Sequence, residues 1–257
     1  MHNEKLRNLI FAGLMTAIGI VLYNVLSFSY PPGSSNLIKI GIGYLPLVII
    51  SILLGPKIGL YAAIIQDLLG FLIFNGNWGI FFPGFTLNAI LYGVVPGLIY
   101  WAKPRNKKFF LIVNTILLFS LLAMAMWGLF NIQLILSLIK EGLGTDITLK
   151  PWVIYMILIV GLIGVIILLV FVYLKRNEND KAHRMIFSII ILQFFVSLVL
   201  TPYWIVLLTH GSVPYIPQLP LRVIKTPFEI IVYLLVLLRT IELLEHTPLL
   251  KNNKFYK

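Results

Sequence analysis

The chain has 257 residues, 60% of them hydrophobic and only 11% charged, with a formal net charge of +11. Soluble domains average about a quarter charged residues, so this composition excludes an ordinary soluble domain, and the basic residues fall between apolar runs rather than in a nucleic-acid-binding patch. Cysteine is absent, which excludes disulfides, thiol catalysis and thiolate metal sites.

A hydrocarbon core of ~30 Å takes about 20 helical residues to cross. On that criterion the chain is expected to be an all-α polytopic membrane protein with eight spans. They are Asn8–Ser27, Leu37–Leu54, Ile58–Phe74, Phe82–Trp101, Phe109–Ile139, Trp152–Leu174, Met185–Leu208 and Leu221–Leu244. Lys5 and Arg7 precede the first, but no small-x-small cleavage site follows it, so it reads as a retained span and not a signal peptide. The second and third are joined by "LGPKIG", a tight reversal at Gly55-Pro56.

Loop charge sets the expected orientation. With both termini cytoplasmic, about 15 of the 20 Lys and Arg residues lie at the inner side, as the positive-inside bias requires. Lys39, Lys140, Lys150, Arg222 and Lys225 remain on the outer side. Snorkelling to the interface accounts for Lys140 and Lys150. The surroundings of Lys39, Arg222 and Lys225 point instead to an anionic ligand.

Three outer segments break the helical pattern: "YPPGSSNLIKIGIGYLP", "NGNWGIFFPG" and "TPYWIVLLTHGSVPYIPQLPLRVIK". The "NLIKIGIG" within the first alternates like a strand. Non-helical backbone at membrane depth must line a cavity or be buried in protein, so these segments are expected to cap an outward-opening pocket. Trp78, Phe82, Tyr203, Trp204 and Tyr215 offer faces to a flat ring, although Trp and Tyr also collect at the interface in any membrane protein. Asn77, Asn88 and His210 can donate to and accept from ring heteroatoms. Arg222 and Lys225 are three apart near the start of the last helix and share a face that suits a carboxylate.

Two acids fall inside spans. Glu229 has Lys225 one turn before it and can pair with it; Asp67 has no local partner and is expected to make an interhelical hydrogen bond or serve an interface. No G-x-x-x-x-G-K-[ST], H-E-x-x-H or G-x-S-x-G occurs, and the four histidines are scattered. Transport or binding is therefore expected, not catalysis, with no metal and no cofactor.

The motifs "IKIGIG", the "LP" after it, "LGPKIG", "DLLG", "FFPGFTLNAILYG" and, near the end, "LPLRVIKTPFE" occur in an order that resembles the substrate-binding (S) components of energy-coupling-factor (ECF) vitamin transporters, in particular the folate branch. The resemblance covers about the first 100 and the last 60 residues, and the order is more specific than any single piece. It implies a six-helix membrane subunit that captures folate or a related vitamin from outside, in a prokaryotic plasma membrane. The implied partners are a transmembrane coupling subunit and a pair of ATPases, which fits the missing phosphate-binding loop.

Two departures accompany the resemblance. The small-residue pair used for docking on the coupling subunit has its nearest counterpart in Gly13 and Ala17, with Ala12 and Thr16 beside them. The chain is also longer than a six-helix component, and the excess reads as an inserted, lipid-facing pair of spans. This gives core helices 1–4 in residues 1–107, the inserted pair in 108–175, and core helices 5–6 with a cytoplasmic tail in 176–257. Alternatives are an S component for thiamine, pantothenate or a pyridoxine-like ring, or a membrane scaffold without cargo. A self-sufficient secondary transporter would be expected to show internal repeats, and none is visible.

Overall fold

The computed structural model of the protein describes residues 2–30, 38–74, 80–102, 107–134, 136–137, 151–174 and 180–245. Almost all of them are helical. In chain order the elements are α1 (His2–Asn24), strands β1 (Phe28–Tyr30) and β2 (Ile38–Ile40), α2 (Leu45–Leu54), α3 (Pro56–Phe74), α4 (Pro83–Trp101) and α5 (Lys107–Phe130). There follow α6 (Pro151–Leu174), α7 (Asp180–Leu192), a π-helical stretch over Gln193–Leu200, α8 (Thr201–Leu208) and α9 (Tyr215–Glu245). Among the described residues, five helical stretches are long and apolar enough to cross a membrane: Lys5–Asn24, α3, α4, Lys108–Phe130 and the continuous Lys181–Leu208. This is a multi-pass helical membrane protein.

Three spans differ from expectation. The apolar run Leu37–Leu54 divides into strand β2, which pairs with β1, and a ten-residue α2. At 1.5 Å per residue α2 is about 15 Å long and cannot cross the hydrocarbon alone. It packs against α1, α3 and α4, and every residue from Leu45 to Leu53 is buried. The fifth run yields a helix ending at Phe130, followed by a turn at Asn131. The last helix starts at Tyr215, six residues before the expected Leu221, because Pro217 falls in the first turn, where no intrahelical donor is needed.

The chain forms two compact units. The first comprises Met1–Phe28, Gly41–Lys103 and Tyr233–Lys257; the second comprises Ser29–Ile40 and Pro104–Val232.

In the first unit small residues let backbones touch. A Cβ on Gly59 would collide with the carbonyl oxygen of Gly93, and one on Gly93 with that of Gly59, so α3 and α4 cross with main chain against main chain. Ser51 of α2 supports α4 where Pro96 has removed a donor: its Oγ accepts from the Gly97 amide at 2.9 Å and donates to the Val94 carbonyl at 3.4 Å. The glycines of "IKIGIG" have the same kind of reason. A Cβ on Gly43 would lie 2.5 Å from the Tyr23 Cα, so the segment can run beside the end of α1 only without side chains.

In the second unit α5 packs against α6 and α7. The Asn114 amide donates to the His183 carbonyl at 2.6 Å, and the Arg184 guanidinium lies 5.6 Å from the Phe110 ring centroid. Gly164 of α6 meets Ile231 of α9, and Gly161 meets Pro227. The pair α5–α6 does carry an exposed apolar face, with Ile112, Ile116 and Phe119 on α5 and Ile163, Ile166, Ile167 and Val170 on α6. Its other face is buried against α7 and α9, so the pair is an integral part of this unit and not simply a lipid-facing appendage.

Candidate functional site

The densest set of buried polar groups in the second unit lies on one face of α9. Gln218, Arg222, Lys225, Thr226 and Glu229 recur three and four residues apart, and all are at most 7% exposed. Buried polar groups are costly unless satisfied, so their partners decide what the face can do. The Lys225 ammonium forms an ion pair with Glu229 at 3.1 Å and donates to the Lys39 carbonyl at 2.8 Å, which fastens strand β2 to α9. Thr226 donates back to the Arg222 carbonyl at 2.7 Å.

Arg222 and Tyr215 reach the π-helical stretch. Nη1 of Arg222 donates to the Ser197 carbonyl at 3.3 Å, and the Tyr215 hydroxyl donates to the Leu198 carbonyl at 2.9 Å. The choice of these two carbonyls has a local cause. Pro202 has no N–H, so it can serve neither the carbonyl four residues back, Leu198, nor the one five back, Ser197. The wide register is visible at the neighbouring position, where the Thr201 amide and Oγ1 both donate to Val196, the hydroxyl at 2.7 Å. Side chains from α9 thus meet the two carbonyls beside the break.

Lys39 is half-buried in β2, and burial pulls its ammonium down from the ordinary 10.5 to about 8. Tyr203 and Trp204 at the start of α8 have ring centroids 5.2 Å apart; Tyr203 is exposed and Trp204 half-buried. His210 is exposed, and its positive φ of 49°, followed by Gly211 at 81°, makes it a turn residue that ends α8. The structure therefore brings Lys39, Tyr215, Arg222 and Lys225 onto the surroundings of one helix face, while His210 stands apart at a turn.

The remaining expected contacts belong to the first unit. Phe82 precedes α4 and meets Phe85 edge-on at 5.8 Å, and Asn88 is 2% exposed inside α4. Trp78 and Asn77, like Lys140 and Lys150, lie outside the described residues. Asp67 accepts a 2.6 Å hydrogen bond from the Thr86 hydroxyl, an interhelical bond between α3 and α4. Of the four α1 residues, Ala12 and Thr16 are buried, and Thr16 donates to the Ala12 carbonyl at 2.7 Å; Gly13 and Ala17 are exposed. A row of tyrosines was not anticipated from the sequence: Tyr23 to Tyr44 at 4.9 Å, Tyr44 to Tyr92 stacked at 4.7 Å, and Tyr92 to Tyr233 at 6.3 Å. Gln66 joins this region from α3, donating to the Gly43 carbonyl at 3.0 Å.

Residues 7–174 match the family described as ECF transporter, substrate-specific component. The chain belongs to this family. It is thus a membrane-embedded component of a transport system. Over 105 residues it is also 30% identical to the folate transporter FolT of Clostridium novyi (strain NT). That alignment takes in 41% of this chain and spans 57% of the relative's length. No solved structure matches the chain. Among the described residues no three His, Asp or Glu side chains gather as metal ligands.

Proposed function

We propose that this chain is the vitamin-capturing subunit of an ECF importer and that its vitamin is folate. The observation that carries the reading is the buried cation pair of α9: Arg222 and Lys225 lie on one face of this helix, at 2% and 7% exposure, and Lys225 holds strand β2. Such cations are costly in a membrane, and recognition of a carboxylated substrate supplies a reason for them. The relative named as a folate transporter supports the choice of vitamin.

Capture is from outside, with both termini cytoplasmic, and delivery passes through a transmembrane coupling subunit and two ATPases. Tyr203, Trp204 and Tyr215 are proposed as ring or rim contacts, with Lys39 and His210 as polar ones. Trp78, Phe82 and Asn88 are proposed as contacts on their own account. The proposed architecture is a six-helix core with the pair 108–175 added, in which the short α2 takes the place of the second expected span. The extent of the family match, which spans residues 7–174, supports a second arrangement. In it the matched spans are the core, and α7 to α9 are the addition.

The test is a vitamin panel titrated against the purified protein by tryptophan fluorescence quenching. Tight binding of folate or a reduced folate is expected, and a response only to thiamine, pantothenate or pyridoxine would replace the substrate. Arg222→Ala is expected to weaken folate binding about tenfold or more, the scale of one lost charge-assisted hydrogen bond, whereas Lys150→Ala leaves it unchanged. Equal affinities for the two variants would remove α9 from the site and favour the second arrangement. Binding of no vitamin, together with no coupling subunit or ATPase in a pull-down, would leave the scaffold reading.

A further inference from the structure

Beside Arg222 two buried polar atoms have no hydrogen-bond partner among the described residues: Oε1 of Gln218 and Oγ of Ser197. Both side chains are deeply buried, Gln218 at 0% and Ser197 at 6% exposure. The orientation of the Gln218 amide follows from its neighbours. Its nitrogen donates to the Pro214 carbonyl at 3.0 Å and to the Val213 carbonyl at 3.4 Å, and a flipped amide would set oxygen against both. The carboxamide oxygen is therefore turned away from these carbonyls, one helical turn before Arg222 on the same face.

Ser197 is unusual in a similar way. A helical serine commonly returns its hydroxyl to a carbonyl three or four residues back. Ser120 does so to Leu117 and Ser188 to Met185, both within 2.8 Å. Ser197, in the π-helical stretch, does not, although its own carbonyl is the one that meets Arg222. A buried acceptor and a buried hydroxyl left unmade each carry a desolvation cost, which a ligand group of the right kind would recover. Together with the guanidinium they define a complement: a ligand that presents an N–H and, close to it, a carboxylate.

We propose that Gln218 and Ser197 are specificity-determining contacts for an N-acylated amino acid. The Gln218 oxygen accepts the amide N–H, and the Ser197 hydroxyl donates to the carboxylate that Arg222 holds. In folate this is the amide joining the glutamate to the aminobenzoyl group, so the inference rests on the folate reading and assigns the part of the vitamin that α9 reads. It predicts discrimination against pteroate, which keeps the pterin and the benzoyl ring but lacks both the amide and the glutamate.

The experiment is a set of titrations of folate and pteroate against wild type, Gln218→Leu and Ser197→Ala. Wild type is expected to prefer folate about tenfold or more, the scale of one hydrogen bond to a charged group. Gln218→Leu should lose most of that preference through weaker folate binding alone, with pteroate affinity unchanged. Ser197→Ala, which removes a single hydroxyl, should lower folate affinity about tenfold and carries the same comparison where Gln218→Leu does not fold. Undiminished discrimination in both variants overturns the assignment, as does equal weakening of folate and pteroate, which would move the contacts to the ring. If wild type binds pteroate as tightly as folate, the tail assignment fails and the folate reading survives. If wild type binds neither, both fail.

Discussion

The ammonium of Lys225 donates to the carbonyl oxygen of Lys39 at 2.8 Å, across 186 positions of sequence, while pairing with Glu229 at 3.1 Å. One side chain thus neutralises a buried carboxylate and fastens strand β2 to α9. Lys225→Met removes both functions and leaves Glu229 buried without this cation, a loss of about 3–5 kcal/mol in comparable buried pairs. The double variant Lys225→Met, Glu229→Leu is expected to recover most of that loss in thermal melts. It should not restore the fastening, so amide exchange at residues 38–40 should stay fast in both variants. Slow exchange there would show that the strand is held by other contacts.

Lys39 gives a pH dependence whose sign can be worked out. Its ammonium titrates at about 8 in the folded protein and at 10.5 ordinarily. Between those values the unfolded chain binds more protons than the folded one, so the Lys39 contribution makes stability rise with pH across that window. Anion capture through the ammonium, as proposed, would run the other way, with affinity falling as pH rises through about 8. Lys39→Arg keeps its charge throughout and should flatten the affinity profile, measured as folate titrations at about pH 7 and about pH 9. An unchanged profile in Lys39→Arg would exclude Lys39 as the titrating contact.

The four small residues of α1 divide into two pairs with opposite expected phenotypes. A Cβ on Gly13 meets nothing within 4 Å, and Ala17 is exposed, so leucine at either position should leave melting and vitamin binding intact. If this face docks on the coupling subunit, the same substitutions should abolish co-purification with it. Leucine at buried Ala12 or Thr16 instead overpacks the interior and should cost about 1–3 kcal/mol. Normal co-purification of Gly13→Leu, Ala17→Leu would move docking to another face.

Gly59 and Gly93 offer a sharper test of packing. Each lies against the other's carbonyl, and backbone cannot swing aside as a side-chain end can. Gly59→Ala is expected to lower stability by about 2 kcal/mol and Gly59→Val by more. Thermal melts check this; a Gly59→Ala protein that melts like wild type would mean that α3 and α4 separate without cost.

The membrane class and most helices were legible because an apolar run of about 20 residues suits little besides a membrane span. Residues 37–54 read as one span because a strand and a short buried helix run together there, and an apolar run does not reveal which is present. Glu229 and Asp67 were legible in kind. One had a cation four residues away; the other, lacking one, was expected to bond across helices and meets Thr86. Gln218 gave no signal, since "PYIPQLPLR" looks like a proline-rich loop and its helical face appears only once α9 is seen to start at Tyr215. The tyrosine row was equally hidden. Its members come from α1, from the segment before α2, from α4 and from α9, and only tertiary packing lines them up.

The break at Pro202 has a consequence for the energetics of carrying an anion. A buried guanidinium needs hydrogen-bond acceptors whether or not a ligand is bound. The Ser197 carbonyl is neutral, and the proline cannot claim it. If Arg222 holds a carboxylate as proposed, capture at this contact would exchange a backbone dipole for a full charge. Release would give the dipole back, so this nitrogen of Arg222 would keep an acceptor in both states. A helix defect of this kind acts as a resting berth for the cation.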